Sequence, residues 1–370
     1  MRQLKIAILG TRGIPARYGG FETFAEELSQ RLVLKGHQVS VYARKRFFEK
    51  KNSPGEYAGV HIRYTATIMH KYFETPVHAV TSLIDVLFKP ADVILLCNAA
   101  NAPFAWITAF AGMPVVINVD GIERKRAKWN LFGRLWYMLG ERCAVWFSKQ
   151  IIADAEVIAE YYRNRYKASP VVIAYGATAK RIPAGETLAR FNLKARNYIL
   201  YVSRLEPENN ALGVIEAYNS IDTDVPLVIV GDAPYADQYK KLLKEKASDK
   251  VVFTGFQFGE AYHELQSNAL IYIQATEVGG THPALVEAMA HGNCIIANGT
   301  PENMEVLADC GEYYKKNNFK ELAVKLKNLL SDGRRRTELS EKARKRAEGV
   351  YNWDKVTEEY LRLFKSVLNK

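Results

Sequence analysis

The stretch Leu4-Lys-Ile-Ala-Ile-Leu-Gly-Thr-Arg-Gly-Ile-Pro-Ala-Arg-Tyr-Gly-Gly20 decides the fold class. Its opening apolar run reads as a strand buried on both faces. A glycine-rich loop follows from Gly10 to Gly20. Phe21, Phe24, Leu28 and Leu32 then mark one face of a helix that stops at Lys35-Gly36. Strand, glycine loop and helix make the opening unit of a parallel α/β domain.

The same rhythm continues outward. Val39–Tyr42, Val93–Leu96, Val115–Asn118 and Ile151–Ala153 read as further strands of that domain. A second set, Tyr198–Val202, Leu227–Val230, Val251–Phe253, Leu270–Ile273 and Cys294–Ala297, repeats the pattern. Between them, Ala174 to Gly185 has turn residues and no periodicity. The expected organisation is a first domain over 1–175, a linker over 176–195 and a second domain over 196–352. A closing helix from Trp353 carries Val356, Tyr360, Leu363, Phe364 and Val367 on one stripe and is expected to pack back on the first domain. The fold class is α/β, with two Rossmann-like doubly wound domains and a ligand cleft at the carboxyl ends of their strands.

Composition narrows the function classes. With 48% apolar and 25% charged residues the chain is globular, which excludes disorder as its main state. Its 4 cysteines form no C-x-x-C pair, which excludes a disulfide scaffold or a Cys-based zinc site. No charge occurs from Val93 to Val119, but Asn98, Asn101, Pro103, Gly112, Pro114 and Asn118 break the run. Strand–helix–strand is therefore expected there, rather than a membrane span. The start has too short an apolar run for a secretory signal, so a cytoplasmic location is expected. The 51 Lys and Arg against 40 Asp and Glu leave a net charge of +11. Much of it gathers near Arg124, Lys125, Arg126, Lys128 and Arg134, among Trp129, Leu131, Phe132, Leu135 and Trp136. That mixture on a helix suits an anionic membrane surface; a helix turning its aromatics inward is the other reading.

Four loops bear on chemistry. The first, Gly10–Gly20, lacks both G-x-G-x-x-G and G-x-x-x-x-G-K-[ST], yet its amides at a helix start suit a phosphate. The second begins at Asp120, at the end of a buried strand, and runs into Lys125. Asp154 has the same position one strand along, where it is a cleft carboxylate or a helix N-cap. In the second domain, Ser203–Asn210 carries Arg204, suited to a bidentate phosphate contact. The fourth, Gln274–Ala290, presents Gly279, Gly280 and Thr281 before a helix containing Glu287, a carboxylate fitted to a ribose diol.

The glycine loop, Ser203-Arg-Leu-Glu-Pro-Glu208 and Glu287-Ala-Met-Ala290, in that order, resemble the retaining glycosyltransferases of family 4, with the GT-B fold. Gly13–Thr23, Asp120-Gly-Ile-Glu123, Arg204–Asn210 and Gly279–Pro283 are similar to the bacterial rhamnosyltransferases of capsule and cell-wall polysaccharide synthesis. Three positions depart from the family pattern: Gly279 stands where a glutamate is usual, Asn209 where a lysine is, and Asp120 where a histidine is. The resemblance implies metal-independent transfer of a sugar from a nucleoside diphosphate with retained anomeric configuration, without a cofactor. It implies Asp120, Lys125, Asp154 and Arg204 as catalytic residues. Gly19, Gly20, Arg204, Glu208, Asn209, Gly279, Gly280, Thr281, His282 and Glu287 would bind the donor. The implied donor is dTDP-rhamnose and the acceptor a lipid-linked saccharide, met on the inner face of the membrane. A UDP-hexose-dependent transferase and a nucleotide-sugar epimerase are the alternatives. A nucleic-acid-binding module fits poorly, since no such motif occurs.

Overall fold

The structure, a computed structural model, describes residues 2–16, 19–48, 55–70, 72–126, 129–178, 181–233 and 236–369. It divides into two compact units. The first comprises Met1–Lys125, Trp129–Tyr175 and Trp353–Lys370; the second comprises Arg126–Lys128 and Gly176–Asn352.

The first unit holds an eight-stranded sheet. From one edge its strands are Glu56–Tyr57, Val60–Thr65, Gln38–Arg44, Lys5–Leu9, Val93–Cys97, Val115–Asn118, Gln150–Ala153 and Val171–Val172. Neighbours are parallel except for the first pair, an antiparallel hairpin turning through Ala58 and Gly59, whose φ values of 49° and 79° suit a tight two-residue turn. The opening strand explains its own composition. Ile6 and Ile8 enter a core with Phe24, Leu28 and Tyr360, whereas Ala7 and Leu9 enter another with Ile94, Leu96 and Ala144. Both faces are covered, so both must be apolar.

The helix Trp353–Leu368 buries its expected stripe in the first of these cores. The Tyr360 ring packs 5.4 Å from Phe24, and its hydroxyl accepts from Asn118 Nδ2 at 3.0 Å.

The second unit has a six-stranded parallel sheet in the order Val251–Gly255, Leu227–Val230, Ile199–Val202, Ile271–Gln274, Cys294–Gly299, Glu312–Lys315. The stretch expected to link the domains is not an unstructured spacer. Glu186–Arg190 forms a short helix whose start is held by the Glu264 carboxylate, which accepts from the amides of Gly185, Thr187 and Leu188 at 2.7, 3.1 and 2.9 Å. Burial works against that charge, yet the amides hold the Glu264 pKa below its ordinary value.

The uncharged run after Val93 folds as strand, 3-10 turn Ala99–Phe104, short helix Trp106–Ala109 and strand. Among the described residues, no helix is long and apolar enough to cross a membrane. The basic and aromatic segment is not one helix. A 3-10 turn spans Glu123–Lys125, and the helix begins only at Leu131, after an Asn130 cap that accepts from Gly133 N at 3.0 Å.

Candidate active site

In the second unit, the strand Ile199–Val202 delivers Ser203–Asn210, and its neighbour Ile271–Gln274 delivers the loop through Gly279. Both loops therefore start at the same end of the sheet. Glu277 N donates to Glu208 O at 3.1 Å and joins them. Gly231, at φ +137°, permits the close approach on the other side, because a Cβ there would lie 1.8 Å from Ser203 O.

Arg204 is half-buried, with Nη2 3.9 Å from Glu206. Its carbonyl accepts from Asn209 Nδ2 at 2.7 Å, and Tyr201 Oη donates to Asn209 O at 2.7 Å. Asn209, expected to contact the donor, uses its side-chain nitrogen to tie the loop to itself. Glu208 is 4% exposed, and neither of its carboxylate oxygens accepts a hydrogen bond from the described residues. Arg126 Nη1 stands 3.9 Å away. A buried carboxylate without hydrogen bonds is costly, and the Arg126 charge offsets part of that cost.

Around Gly279 the backbone is shaped by His282. A Cβ on Gly279 would lie 2.3 Å from His282 Cε1, so glycine is required for the imidazole to rest there. His282 Nε2 lies 3.0 Å from Thr276 Oγ1, which fixes the ring. Gly280 and Thr281 are buried just before the helix Pro283–Ala290, which opens on a proline suited to the first helical position. Glu287 lies within that helix and accepts a hydrogen bond from Tyr262 Oη. Tyr262 Oη also accepts from Gln266 Nε2 at 3.0 Å, and Gln266 Oε1 accepts from Asn293 at 3.1 Å. Burial, then the Glu287 charge, push the Tyr262 pKa well above its ordinary value, so it stays a donor. Nothing in the local pattern around Tyr262 signals this role.

At the end of the same helix, His291 Nε2 lies 3.3 Å from His263 Nδ1, and its Nδ1 lies 3.1 Å from Ser267 Oγ. Burial, then the charges of His263, Arg181 and Arg196, lower its pKa to about 4.

In the first unit, Asp120 and Asp154 follow the paired strands Val115–Asn118 and Gln150–Ala153. Asp120 sits at φ +58°, a conformation costly for a residue with a Cβ and tolerated here through its amide, which donates to Asn118 Oδ1 at 3.0 Å. Tyr175 Oη lies 3.4 Å from Asp120 Oδ1. Burial raises the Tyr175 pKa well above its ordinary value, and both Asp120 and Asp154 add to the shift, so the tyrosine stands near two carboxylates. Asp154 is buried, and the cap of the helix Glu156–Tyr166 is Ala155, not Asp154.

The remaining expected residues are less united. Lys125 is exposed at the end of its 3-10 turn. Arg126 is buried, so it is removed from the surface patch assigned to it, and Lys128 lies outside the described residues. Gly19 caps the helix Gly20–Leu34, but Glu22 in its first turn folds back to accept from Arg12 N at 2.8 Å. A carboxylate thus already serves that positive helix end, and a diphosphate at Gly19 and Gly20 would meet its charge. Among the described residues, no group of three or more His, Cys, Asp or Glu is arranged to hold a metal ion.

Residues 18–178 match the family model described as Glycosyltransferase Family 4, and residues 186–346 match the one described as Glycosyl transferases group 1. Over 163 residues, 43% of either chain, the sequence is 26% identical to the N-acetylgalactosamine-N,N'-diacetylbacillosaminyl-diphospho-undecaprenol 4-alpha-N-acetylgalactosaminyltransferase of Campylobacter jejuni. Over 184 residues, 48% of either chain, it is 21% identical to the O-antigen chain mannosyltransferase B of Escherichia coli. The chain thus spans about half the length of the curated relatives it matches. Among solved structures, the sucrose-phosphate synthase of Thermosynechococcus elongatus superposes over 100% of both chains, with a TM-score of 0.82 at 19% identity. Anabaena HepE, in complex with UDP and glucose, covers 98% of this chain and 100% of its own, with a TM-score of 0.80 at 17% identity.

Proposed function

We propose that this chain, in which a Glycosyltransferase Family 4 domain precedes a Glycosyl transferases group 1 domain within the GT-B fold, transfers a sugar from a nucleoside diphosphate to a lipid-linked saccharide. The observation that carries the reading is the pair of loops joined at Glu277 and Glu208, which group Arg204, the Gly279–Thr281 backbone and the Tyr262-held Glu287 at one end of one sheet.

In this reading Glu287 accepts the ribose hydroxyls, and Tyr262 aims its carboxylate. Arg204 and the amides before Pro283 meet the diphosphate, where negative charge grows as the bond from anomeric carbon to oxygen breaks. The acceptor oxygen bonds that carbon on the face the diphosphate leaves, and its proton passes to the departing diphosphate oxygen, so configuration is retained without a protein nucleophile or a metal. Asp120 offsets positive charge on the sugar or orients the attacking hydroxyl, with Asp154 and Tyr175 behind it.

The donor is read as dTDP-rhamnose. The motif resemblance supports this, as does the Gly279–His282 arrangement, which sets an imidazole where a carboxylate would otherwise bind sugar hydroxyls. The lipid-linked acceptor draws support from the diphospho-undecaprenol substrate in the Campylobacter relative's name, and surface polysaccharide synthesis from the O-antigen relative. The protein works peripherally at the inner face of the membrane, through the exposed apolar residues of Leu131–Phe147.

A thermal-shift panel of dTDP-rhamnose, UDP-glucose and the free nucleotides tests the donor. A ligand at 100 times its dissociation constant stabilises by about 2.7 kcal/mol, readily seen in a melting curve. Stabilisation by UDP-glucose alone replaces the donor assignment, and stabilisation by none removes the transferase reading. The anomeric coupling of the product sugar, read by NMR, tests retention.

A further inference from the structure

The first unit exposes far more apolar surface than its fold requires. Among the described residues, twelve of the eighteen exposed large hydrophobic side chains fall between Ile68 and Trp146. Within this surface lies a cavity of about 300 Å³ walled by Tyr72 and Phe73 from one segment, Phe104 from a second, and Trp129, Phe132 and Trp136 from a third. These segments follow the strands Val60–Thr65, Val93–Cys97 and Val115–Asn118. The cavity therefore opens among loops at the same end of the sheet as Asp120.

Its walls are built rather than incidental. A Cβ on Gly133 would lie 2.8 Å from Trp129 Cε3, so glycine lets the indole lie against the helix. Tyr72 packs 6.4 Å from Trp129 and 6.5 Å from Phe132, while Phe104 packs 5.8 Å from Trp136. Trp136 Nε1 donates to Ala100 O at 3.2 Å, which fixes that ring's edge. A volume at the small end of ligand sites, lined by fixed rings, suits a slender hydrocarbon better than a folded peptide.

Charge says what the hydrocarbon carries. The wall from Trp129 to Trp136 belongs to the segment that bears Lys125 and Arg134, both exposed, while its one acid, Glu123, is buried. Arg44, which donates to Thr75 on the opposite wall, is buried and paired with Glu74, so the cations open to a ligand, among the described residues, are Lys125 and Arg134. An aromatic groove whose wall segment bears exposed cations fits a chain ending in an anion.

We infer that this groove holds the first part of the hydrocarbon chain of a prenyl diphosphate-linked acceptor, with its diphosphate on the side of Lys125. This rests on the transferase reading above and deepens it. The acceptor is then held by its lipid beside Asp120, so its sugar is presented without the protein having to recognise the whole glycan.

Farnesyl diphosphate is the probe, followed by calorimetry and by the fluorescence of Trp129 and Trp136. It is expected to bind at least tenfold more tightly than inorganic diphosphate or farnesol. The double variant Phe73→Ala/Phe132→Ala changes two half-exposed rings, so it should keep the wild-type melting temperature and lose about tenfold or more in affinity. Phe88→Ala, 79% exposed and outside the groove, should change nothing. Equal affinity for inorganic diphosphate, or an unchanged double variant, overturns the proposal. So does binding to phosphatidylglycerol vesicles that the double variant loses while farnesyl diphosphate never bound, since the patch would then be a plain membrane contact. Titration with dTDP and UDP on the same preparations reports on the second unit. Nucleotide binding with a failed groove leaves the transferase reading standing, whereas absent nucleotide binding removes that reading itself.

Discussion

Tyr262→Phe removes one hydroxyl that donates to Glu287 and accepts from Gln266 at 3.0 Å. The ring stays, so packing is kept and the change isolates the hydrogen bond. A hydrogen bond to a charged partner contributes about 1.5–3 kcal/mol, because the carboxylate loses a fixed donor in a site with little water. At the lower end, about 1.5 kcal/mol, this is roughly tenfold in the dissociation constant of the nucleotide sugar. Calorimetry on wild type, Tyr262→Phe, Glu287→Gln and the double variant closes a cycle. If Glu287 acts on the ribose and Tyr262 acts through Glu287, the double variant is no worse than Glu287→Gln alone. Additive losses would refute the coupling.

Three further outcomes are expected. Asp120→Asn should lower transfer by roughly 10²–10⁴-fold with donor binding unchanged, and Asp120→Gly, relieving the positive φ, should lose activity equally while melting no lower than the wild type; a fully active Asp120→Asn ends the catalytic assignment. Gly279→Ala should displace the His282 ring and weaken donor binding, and retained wild-type affinity would show that the ring does not shape the sugar site. His291 stays neutral down to about pH 4 in the fold but titrates near 6.5 when unfolded, so the unfolded chain binds the extra proton between those values and stability should fall as pH drops from 6.5 to 4 by about 3 kcal/mol, levelling below. Urea midpoints for wild type and His291→Gln across that window check it, and parallel curves would count against the buried neutral imidazole.

The strands were legible wherever both sheet faces are covered, because each such strand is a short run of apolar residues in sequence. The edges were not. Val171–Val172 is too short to stand out, and Glu312–Lys315, reading Glu-Tyr-Tyr-Lys, has only one side chain fully buried. The hairpin of Glu56–Tyr57 and Val60–Thr65 mixes charged and apolar residues because its strand Val60–Thr65 leaves part of one side to solvent. The site residues were legible in proportion to how much of their placement is set by chain direction. Asp120, Asp154, Arg204 and Gly279 all follow a strand, so a buried parallel sheet puts them at its carboxyl end. The bond from Asn209 to its own loop was not legible, because a side chain's reach toward a ligand or back to its own loop depends on the loop's shape.

By itself the sequence determined most of the buried strands, their order and the closing helix, since burial periodicity, glycine turns and the stripe on Trp353–Leu368 are properties of neighbouring residues. The tertiary structure alone decided which distant side chains meet. Tyr262 reaches Glu287, Tyr175 stands near both Asp120 and Asp154, and Arg126 is buried although it sits in a basic run. The aromatic groove is of the same kind, because its walls come from three segments that adjoin only when the sheet is assembled. A local pattern tells a side chain which way to face, and what it then faces is supplied by packing between elements far apart in the chain.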